Sequence, residues 1–337
     1  MEKWQINFCK VAVKNCTRGC KKNNTMGLRS FLNSDIRAKK RKLCNFFFGS
    51  EWVRNHKPSF KQKVKNTLYL LLHKKECVVV DGWLLRFYDS KEKYSNWGDD
   101  LNVYLIELMC NKRVIPAETV LIHCLKYSFV GSNLPQILNG KTVIWGSGVM
   151  NTSLKINRKM VEEVCAVRGP ITRNYLLKNG IDCPEVFGDP ALLLPLYYKP
   201  KGVVKRHKIG IVPHHMDFDY KEELDELLGD GCHVISMINY DKWTDVIDDI
   251  CSCEYILSNS LHGLIVADAY GVKNLFCEFV HHHANQEKFE DYFLSVKRPV
   301  VSPIKYDKSF SVEEAENLFN STISIDIQKL LSAFPVK

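Results

Sequence analysis

His262 lies in the segment SNSLHGLIVADAYG (residues 258–271), between an apolar strand-like run and a predicted helix. Ser260 and Leu261 precede it and Gly263 follows it. A buried histidine needs hydrogen-bond partners for its ring nitrogens, so His262 is either a satisfied structural residue or an acid/base or anion-binding group. Because a helix N-terminus disfavours a cationic imidazole, we expect His262 to be neutral until an anion binds beside it. That behaviour suits a general acid that acts on a phosphorylated substrate.

Two carboxylates, Asp99 and Asp100, stand in the segment NWGDDL and form a second candidate. Gly98 is expected to allow a tight or left-handed turn after Asn96, and the two carboxylates begin a predicted helix over residues 99–110. A carboxylate at this position is also explained as a helix cap, which stabilises by about 1 kcal/mol. The segment therefore predicts either part of a site or a cap.

A group of small residues, Gly146, Ser147 and Gly148, follows a predicted strand in the segment WGSG. Small residues let a backbone approach a ligand closely and present N–H groups to an anion. The segment is too short to count as a dinucleotide-binding or P-loop fingerprint. We expect it to line an anion site only in combination with other groups.

Arg168 lies at a strand-to-helix junction in the segment AVRGPITR. A guanidinium there can hold a carboxylate or a phosphate through two hydrogen bonds, and the adjacent helix N-terminus adds to the positive field. The alternative is a structural salt bridge, for example to Asp189 in the segment FGDP. The sequence leaves both interpretations open.

The elements that must position these residues alternate between strand and helix from about residue 76 onward, which favours parallel sheets with helices on both faces. We predict an α/β fold with two Rossmann-like domains facing each other across a cleft, at 76–198 and 205–320, after a basic N-terminal extension, 1–75. Ligands of such sheets bind beyond the carboxyl ends of the strands, where the four segments above are expected. Strands are predicted within 76–88, 119–131, 141–148, 208–215, 232–238, 254–260 and 273–280, and helices within 99–110, 169–180, 220–231, 241–253 and 262–271.

The net charge of +9 is unevenly distributed. Residues 1–75 contain 19 Lys and Arg against three acidic residues, whereas the rest of the chain is acidic overall. The basic segment predicts attraction to anionic lipid or to a phosphate-bearing substrate, or else a solvated extension. No nucleic-acid-binding motif accompanies the charge, so no nucleic-acid partner is expected.

The chain contains thirteen cysteines without a repeated spacing, no secretory signal and no long apolar run. These features predict a cytoplasmic protein with reduced thiols.

In this order, NWGDDL, WGSG, VRGPITR, GDPALLLP and SLHGLIVADAYG resemble the polysaccharide pyruvyl transferase family over about residues 80 to 300. The segment KFEDYF (288–293) is similar to that family as well. The resemblance implies a fold like the GT-B glycosyltransferases. It also implies transfer of a pyruvyl group from phosphoenolpyruvate to two hydroxyls of one sugar, which gives a cyclic ketal.

On this resemblance the motif histidine is His262, the motif arginine is Arg168 and the motif carboxylate is Asp99. Some family members carry an arginine two places before the histidine, where this chain has Ser260. The chain must therefore use other groups to complete its donor-anion site.

The three motif residues have expected roles in the chemistry. Phosphoenolpyruvate carries about three negative charges, so its site needs cations and backbone donors. We expect His262 to act as general acid/base, Asp99 to orient or deprotonate the acceptor hydroxyl, and Arg168 to hold the donor's carboxylate or phosphate. The expected donor-binding residues also include Gly146, Ser147, Gly148, Ser260, Leu261 and Gly263, and the expected acceptor-binding residues are Asn96, Asp99 and Asp100.

The scheme requires no metal and no cofactor. Three consecutive histidines, 281–283, cannot all face one ion on a regular strand, so a solvated loop is expected there. His214 and His215 follow a strand end and are secondary candidates for the cleft.

The acceptor is expected to be a hexose such as galactose in a capsule or exopolysaccharide repeat unit, carried in one alternative on polyprenyl diphosphate. A peripheral association with the inner face of the membrane through residues 1–65 would suit such a lipid-linked acceptor.

One rival function is a GT-B-type glycosyltransferase with a nucleotide-sugar donor, for which Asp268 or Glu278 could hold the ribose hydroxyls. The other is a non-catalytic anion-binding protein, against which the intact Asp99, Arg168 and His262 argue.

Overall fold

The structure is a computed structural model, and it describes residues 55–134, 140–228, 232–280, 286–307, 309–319 and 322–336. The chain divides into two compact units, Met1–Lys57 with Asp89–Glu92, and Pro58–Tyr88 with Lys93–Lys337. In the described part of the first unit, Asn55 Nδ2 donates a 2.7 Å hydrogen bond to Glu92 Oε1. Every helix and strand described below belongs to the second unit. The basic run at 37–42 and the histidines at 281–283 lie outside the described residues.

Five parallel strands form the first sheet, in the order β2-β1-β3-β4-β5. The sequences CVVV (β1) and TVIW (β4) are almost wholly buried, as expected for strands covered on both faces of a parallel sheet. The strands are β1 (Cys77–Val80), β2 (Arg113–Pro116), β3 (Lys126–Ser128), β4 (Thr142–Trp145) and β5 (Val161–Ala166).

Five further parallel strands form the second sheet, in the order β10-β9-β8-β6-β7. Read from its other edge, this order repeats that of the first sheet, with the first strand of each half between the second and the third. The two parallel-sheet α/β halves confirm the Rossmann-like class. The strands are β6 (His207–Val212), β7 (His233–Val234), β8 (Cys253–Ser258), β9 (Lys273–Glu278) and β10 (Ile304–Lys305).

Helices connect these strands, and none within the described ranges is both long and apolar enough to cross a membrane. The Pro at the start and the Gly after the end of GPITRNYLLKNG bound α3 as predicted, and Gly180 has a φ of +70°. The helices are α1 (Phe60–Leu72), α2 (Trp97–Cys110), α3 (Pro170–Lys178), α4 (Leu194–Tyr197), α5 (Lys221–Leu228), α6 (Trp243–Cys251), α7 (Leu261–Ala269), α8 (Glu287–Ser295) and α9 (Ile327–Ser332).

Two predicted strand regions are confirmed only in part. Within 119–131 only Lys126–Ser128 forms a strand, and the apolar residues before it lie in an exposed loop instead of a core. Within 76–88 the second apolar run forms a 3-10 turn, Leu85–Phe87. Both runs have the composition of a strand, but neither pairs with a neighbouring strand in the described part of the sheet.

The C-terminal helix α9 returns to the first half of the molecule. Leu330 is fully buried, and its carbonyl accepts a 3.0 Å hydrogen bond from Trp145 Nε1 on β4. The ring of Phe334 packs edge-on against Trp145, 4.9 Å between centroids. The core of the first sheet is thus completed by residues that follow the second sheet in sequence.

Candidate active site

His262 is the second residue of α7, which begins directly after the central strand β8 of the second sheet. The neighbouring strand β6 leads in the opposite direction across the sheet, so the ends of β6 and β8 flank the topological switch point where α/β sheets bind ligands. Ser260 occupies the N-cap position, but its side chain makes no capping hydrogen bond. The first N–H groups of α7 therefore lack a capping side-chain acceptor from Ser260.

The imidazole of His262 lies directly against Gly98, in the first turn of α2. A Cβ atom on residue 98 would overlap the Nδ1, Cε1 and Cγ atoms of that ring. The expectation of a tight or left-handed turn at Gly98 is wrong, because the residue is helical. Gly98 is required so that the ring can approach the helix backbone closely.

The outer nitrogen of His262 faces a carboxylate without bonding to it. His262 Nε2 and Asp189 Oδ2 lie 4.0 Å apart, and both are buried atoms without a hydrogen-bond partner among the described residues. The other carboxylate oxygen of Asp189 accepts from the N–H of Ala191 at 3.0 Å and so caps a 3-10 turn. Burial raises the pKa of Asp189 to about 6. Two unpaired polar atoms at this separation can be bridged by the oxygen of a water or hydroxyl group.

Burial, together with the positive charges of Lys288 and Arg168, lowers the pKa of His262 to about 3. The imidazole is therefore neutral at physiological pH while no anion is bound. A negative charge beside it would oppose both cations and raise its pKa.

Asp99 and Asp100 have different surroundings although they are adjacent. Asp100 is fully buried, and its Oδ2 accepts a 2.7 Å hydrogen bond from the Tyr240 hydroxyl. Asp99 is partly buried, and its pKa is raised to about 8 by burial and by Asp100, while Lys288 acts against this shift. Burial raises the pKa of Asp100 as well, to about 7, so both carboxyl groups can exchange a proton near neutral pH, and Asp99 is the more accessible of the two.

Lys288, in the first turn of α8, was not among the predicted site residues. Its ammonium has no hydrogen bond or ion pair within the described ranges, and it lies 5.1 Å from the Phe289 ring centroid. Burial and Arg168 lower its pKa to about 8, while Asp99 raises it. Lys288 is therefore a partly buried cation close to Asp99 and His262. The segment KFEDYF was recognised as similar to the family, but no spacing in the sequence connects its lysine to Asp99.

Arg168 is fully buried and uses all three guanidinium nitrogens inside the protein. Its Nε donates to Asp291 Oδ2 at 3.1 Å, its Nη2 donates to the Val149 carbonyl at 2.9 Å, and its Nη1 donates to Ser132. The structural salt bridge considered for Arg168 exists, but its partner is Asp291 instead of Asp189. In this arrangement Arg168 contributes charge to the site; direct contact with a donor stays a prediction.

Asp291 also caps α3. Its Oδ1 accepts from the N–H of Thr172 at 2.9 Å, and its Oδ2 accepts from the Thr172 hydroxyl at 2.7 Å. A Cβ atom on Gly169, the N-cap residue, would overlap the backbone of Asp291. The Arg-Gly-Pro segment is therefore fitted closely to α8, the helix that carries Lys288.

The WGSG segment serves packing more than anion binding. The N–H groups of Gly146 and Gly148 donate to the carbonyls of Ala166 and Gly131, at 3.0 and 2.9 Å. The expectation that these two N–H groups face an anion is therefore wrong. Gly146, with a φ of +88°, allows Pro190 to pack closely, and the guanidinium of Arg168 lies against Gly148.

Asn96, His214 and Ser147, which were also predicted, each make hydrogen bonds within the protein. Asn96 is the N-cap of α2, and its Oδ1 accepts from Gly98 N–H at 3.1 Å. The N–H of His214 donates to Asn259 Oδ1 at 2.6 Å, which places His214 next to the residue that precedes Ser260. The buried Ser147 hydroxyl lies 2.8 Å from that of Ser128.

Asp268 is occupied by a structural network. Its carboxylate accepts from Arg298 Nη1 at 3.1 and 3.0 Å, from the Tyr292 hydroxyl at 2.8 Å and from Asn274 Nδ2 at 2.7 Å. Because the side chain is buried and fully paired, it is not available to hold a ribose.

Metal-ligating side chains do not cluster in the described part of the chain, where no group of three or more His, Cys, Asp and Glu is arranged to hold an ion. A separate hollow of about 590 Å³ is lined by residues of β5 and of the segment 177–184. It contains none of the side chains discussed above, so it is distinct from the surroundings of His262.

The polysaccharide pyruvyl transferase family model matches residues 49–278. The chain belongs to this family. An uncharacterized protein, L143, of Acanthamoeba polyphaga mimivirus is 29% identical over 191 residues, which cover 55% of this chain and 64% of that protein. The succinoglycan biosynthesis protein ExoV of Rhizobium meliloti is 30% identical over 194 residues, 55% of this chain and 57% of that protein. The chain thus spans less than two thirds of either relative. The motif resemblance to the polysaccharide pyruvyl transferase family is confirmed.

Replacing Asp291 with Ala should lower the free energy of unfolding by about 3–5 kcal/mol, because the buried guanidinium of Arg168 loses its ion-pair partner. Urea denaturation measures this change. The matched control is Glu290→Ala, at the exposed neighbouring position, which should change stability by less than about 0.5 kcal/mol. Equal effects of the two substitutions would contradict the buried ion pair.

The imidazole of His262 should remain neutral down to about pH 5 in the ligand-free protein, and inorganic phosphate should raise its pKa. NMR titration of the histidine ring signals checks both statements, with the His262 signal assigned by its loss in His262→Gln. A midpoint near the ordinary value of about 6.5 without phosphate would mean that the ring is solvated.

Proposed function

We propose that this chain transfers a pyruvyl group from phosphoenolpyruvate to two hydroxyls of one sugar, forming a cyclic ketal and releasing phosphate. The observation that carries the proposal is the Nε2 of His262, unpaired within the described residues and placed at an uncapped helix N-terminus beside the cation Lys288. Family membership supports the reaction class. The occupied carboxylate of Asp268 weakens the case for a nucleotide-sugar transferase.

The donor's negative charges would meet three sources of positive potential: Lys288, the buried Arg168 and the first N–H groups of α7. Lys288 is the group best suited to contact the donor directly, because Arg168 spends its nitrogens on internal hydrogen bonds. In this way Lys288 would supply the cation that some relatives carry at the position of Ser260. The segment Gly146–Gly148 would shape the wall of the site, and Leu261 and Gly263 would contribute helix N–H groups.

His262 would act as the general acid. Binding of the anionic donor raises its pKa, so the ring takes up a proton that it lacks in the ligand-free protein. The imidazolium then delivers this proton to the methylene carbon of phosphoenolpyruvate, and C2 becomes electrophilic. Asp189, whose Oδ2 lies 4.0 Å from His262 Nε2, would stabilise the imidazolium through its negative charge.

Asp99 would serve the acceptor. In its ionised form, which the charge of Lys288 favours, Asp99 can accept the proton of the first sugar hydroxyl as that oxygen adds to C2. The second hydroxyl then displaces phosphate from C2, and its proton leaves with the phosphate. Asn96 and Asp100 would hold the turn that presents Asp99. No metal or cofactor enters this scheme.

We further propose that the two halves have a GT-B-like arrangement, with the acceptor bound to the first half and the donor to the second. The acceptor would be a hexose such as galactose. The acceptor would belong to a surface-polysaccharide repeat unit, carried in one form on polyprenyl diphosphate at the inner face of the membrane. The relative ExoV, a succinoglycan biosynthesis protein, supports a polysaccharide pathway.

Incubation with phosphoenolpyruvate and a panel of hexosides should release phosphate and yield one product that is heavier by pyruvic acid less one water. His262→Gln should lower the rate by at least about 10²-fold, since it removes the general acid, whereas His123→Gln on an exposed loop should leave the rate unchanged. A product heavier by a hexose less one water, formed from a nucleotide sugar, would identify a glycosyltransferase instead. Donor binding in calorimetry without turnover on any hexoside would favour an anion-binding protein.

Gly98→Ala should lower kcat by about 10²-fold without loss of folding, because the added methyl group displaces the imidazole from its position. Gly82→Ala is the matched control: its added Cβ meets other atoms only at 3.6 Å or more, so activity should be retained. Steady-state kinetics with thermal melting distinguishes displacement from unfolding. Full activity of Gly98→Ala would show that the ring is not held at this place during the reaction.

A further inference from the structure

The helix α1 presents an apolar face outward. Phe60, Leu68, Leu71 and Leu72 are each between 55% and 79% exposed. Their spacing places them along one side of the helix, opposite the buried residues that pack on the first sheet. A solvated helix face would carry polar residues at these positions.

A second segment, the loop 121–125, adds to the same surface. Leu121, Ile122 and Leu125 are 50%, 38% and 45% exposed. The loop is held against α1 by two hydrogen bonds: the N–H of Leu121 donates to Thr67 Oγ1 at 2.9 Å, and Asn66 Nδ2 donates to Thr119 Oγ1 at 2.8 Å. These bonds hold the two segments beside each other, and their exposed apolar side chains are together named here the α1 surface.

Lysines border the α1 surface. Lys61 and Lys65 lie on the exposed side of α1, and Lys74 and Lys75 follow its end. Residues 58–75 contain no acidic residue, whereas the exposed Glu76 follows α1 and the exposed Glu118 precedes the loop 121–125. The α1 surface thus combines exposed leucines, which can enter a bilayer, with lysines around them. This combination fits an anionic lipid surface, because the lysines outnumber the acidic residues around the leucines, whereas a protein partner with an apolar groove would not require an excess of positive charge.

We propose that the α1 surface docks the protein onto an anionic lipid bilayer. The 13-residue helix, about 20 Å long, would lie in the plane of the interface. Its leucines and those of the loop 121–125 would enter the acyl boundary, and the lysines would extend to the headgroups. This surface differs from the basic N-terminal segment expected from the sequence, 1–65, which overlaps it only in residues 60–65. Docking does not depend on the proposed reaction.

Sedimentation of the full chain with vesicles tests the proposal. Wild type should bind vesicles of phosphatidylcholine mixed with phosphatidylglycerol, and should bind vesicles of phosphatidylcholine alone at least about tenfold more weakly. The triple variants L68S/L71S/L72S and L121S/I122S/L125S should each lose more than about tenfold in binding to the mixed vesicles. Lys65→Gln should lose about fivefold, and less at high salt.

The matched control is L196S/V204S/L318S, which changes three exposed aliphatic residues on other elements and should bind as wild type does. Thermal melting checks that each variant is folded, and phosphate release with a soluble hexoside checks the reaction separately. Equal vesicle binding of wild type and both triple variants would overturn the proposal. So would lipid-independent self-association in light scattering that the α1 substitutions abolish, which would assign the surface to a second copy of the chain.

Discussion

The buried carboxylate of Asp291 is the interaction on which the rest of the site depends. It forms an ion pair with the fully buried guanidinium of Arg168, and it accepts hydrogen bonds from Thr172 in the first turn of α3. Since Asp291 lies on α8 and Arg168 follows β5, the same contact fixes the helix that carries Lys288 against the first half of the molecule. An ion pair removed from water is stable only when its hydrogen bonds are complete, and here both partners make several. The guanidinium of Arg168 can therefore stay buried near the site with Asp291 as its only ion-pair partner in the described part of the chain.

Opposed pKa shifts characterise the group of residues around that contact. Burial makes His262 neutral, raises the pKa of Asp99 to about 8 and lowers that of Lys288 to about the same value. None of these side chains has its ordinary protonation behaviour, and all three are poised to change when a negative charge enters. The ligand itself would supply the charge that completes the site. On the proposed mechanism, anion binding and protonation of His262 would occur together.

The sequence predicted much of this arrangement because its signals are local. Alternating strand and helix patterns identified the α/β class, and the Pro and Gly at the ends of α3 were visible directly. The segment around His262 was identified because β8 is an apolar run that ends in polar residues. What could not be predicted was pairing over long distances.

Asp291 was not recognisable as the partner of Arg168, 123 positions earlier, and Lys288 had no local feature that linked it to Asp99. The loop 121–125 was mistaken for part of a strand because its composition is apolar. The structure shows that the side chains of this loop are exposed and that the loop pairs with no strand in the described part of the sheet.

The return of α9 to the first sheet links the two halves by more than a single connection. The core around Trp145 and Phe129 receives Leu330 and Phe334 from beyond the second sheet. A fragment that ends between α4 and β6 would leave Trp145 without its hydrogen-bond acceptor and part of its packing. If the halves are expressed separately, or one half is exchanged between relatives, the fragment that contains the first sheet must include residues 325–334. Without them the core of that sheet stays open.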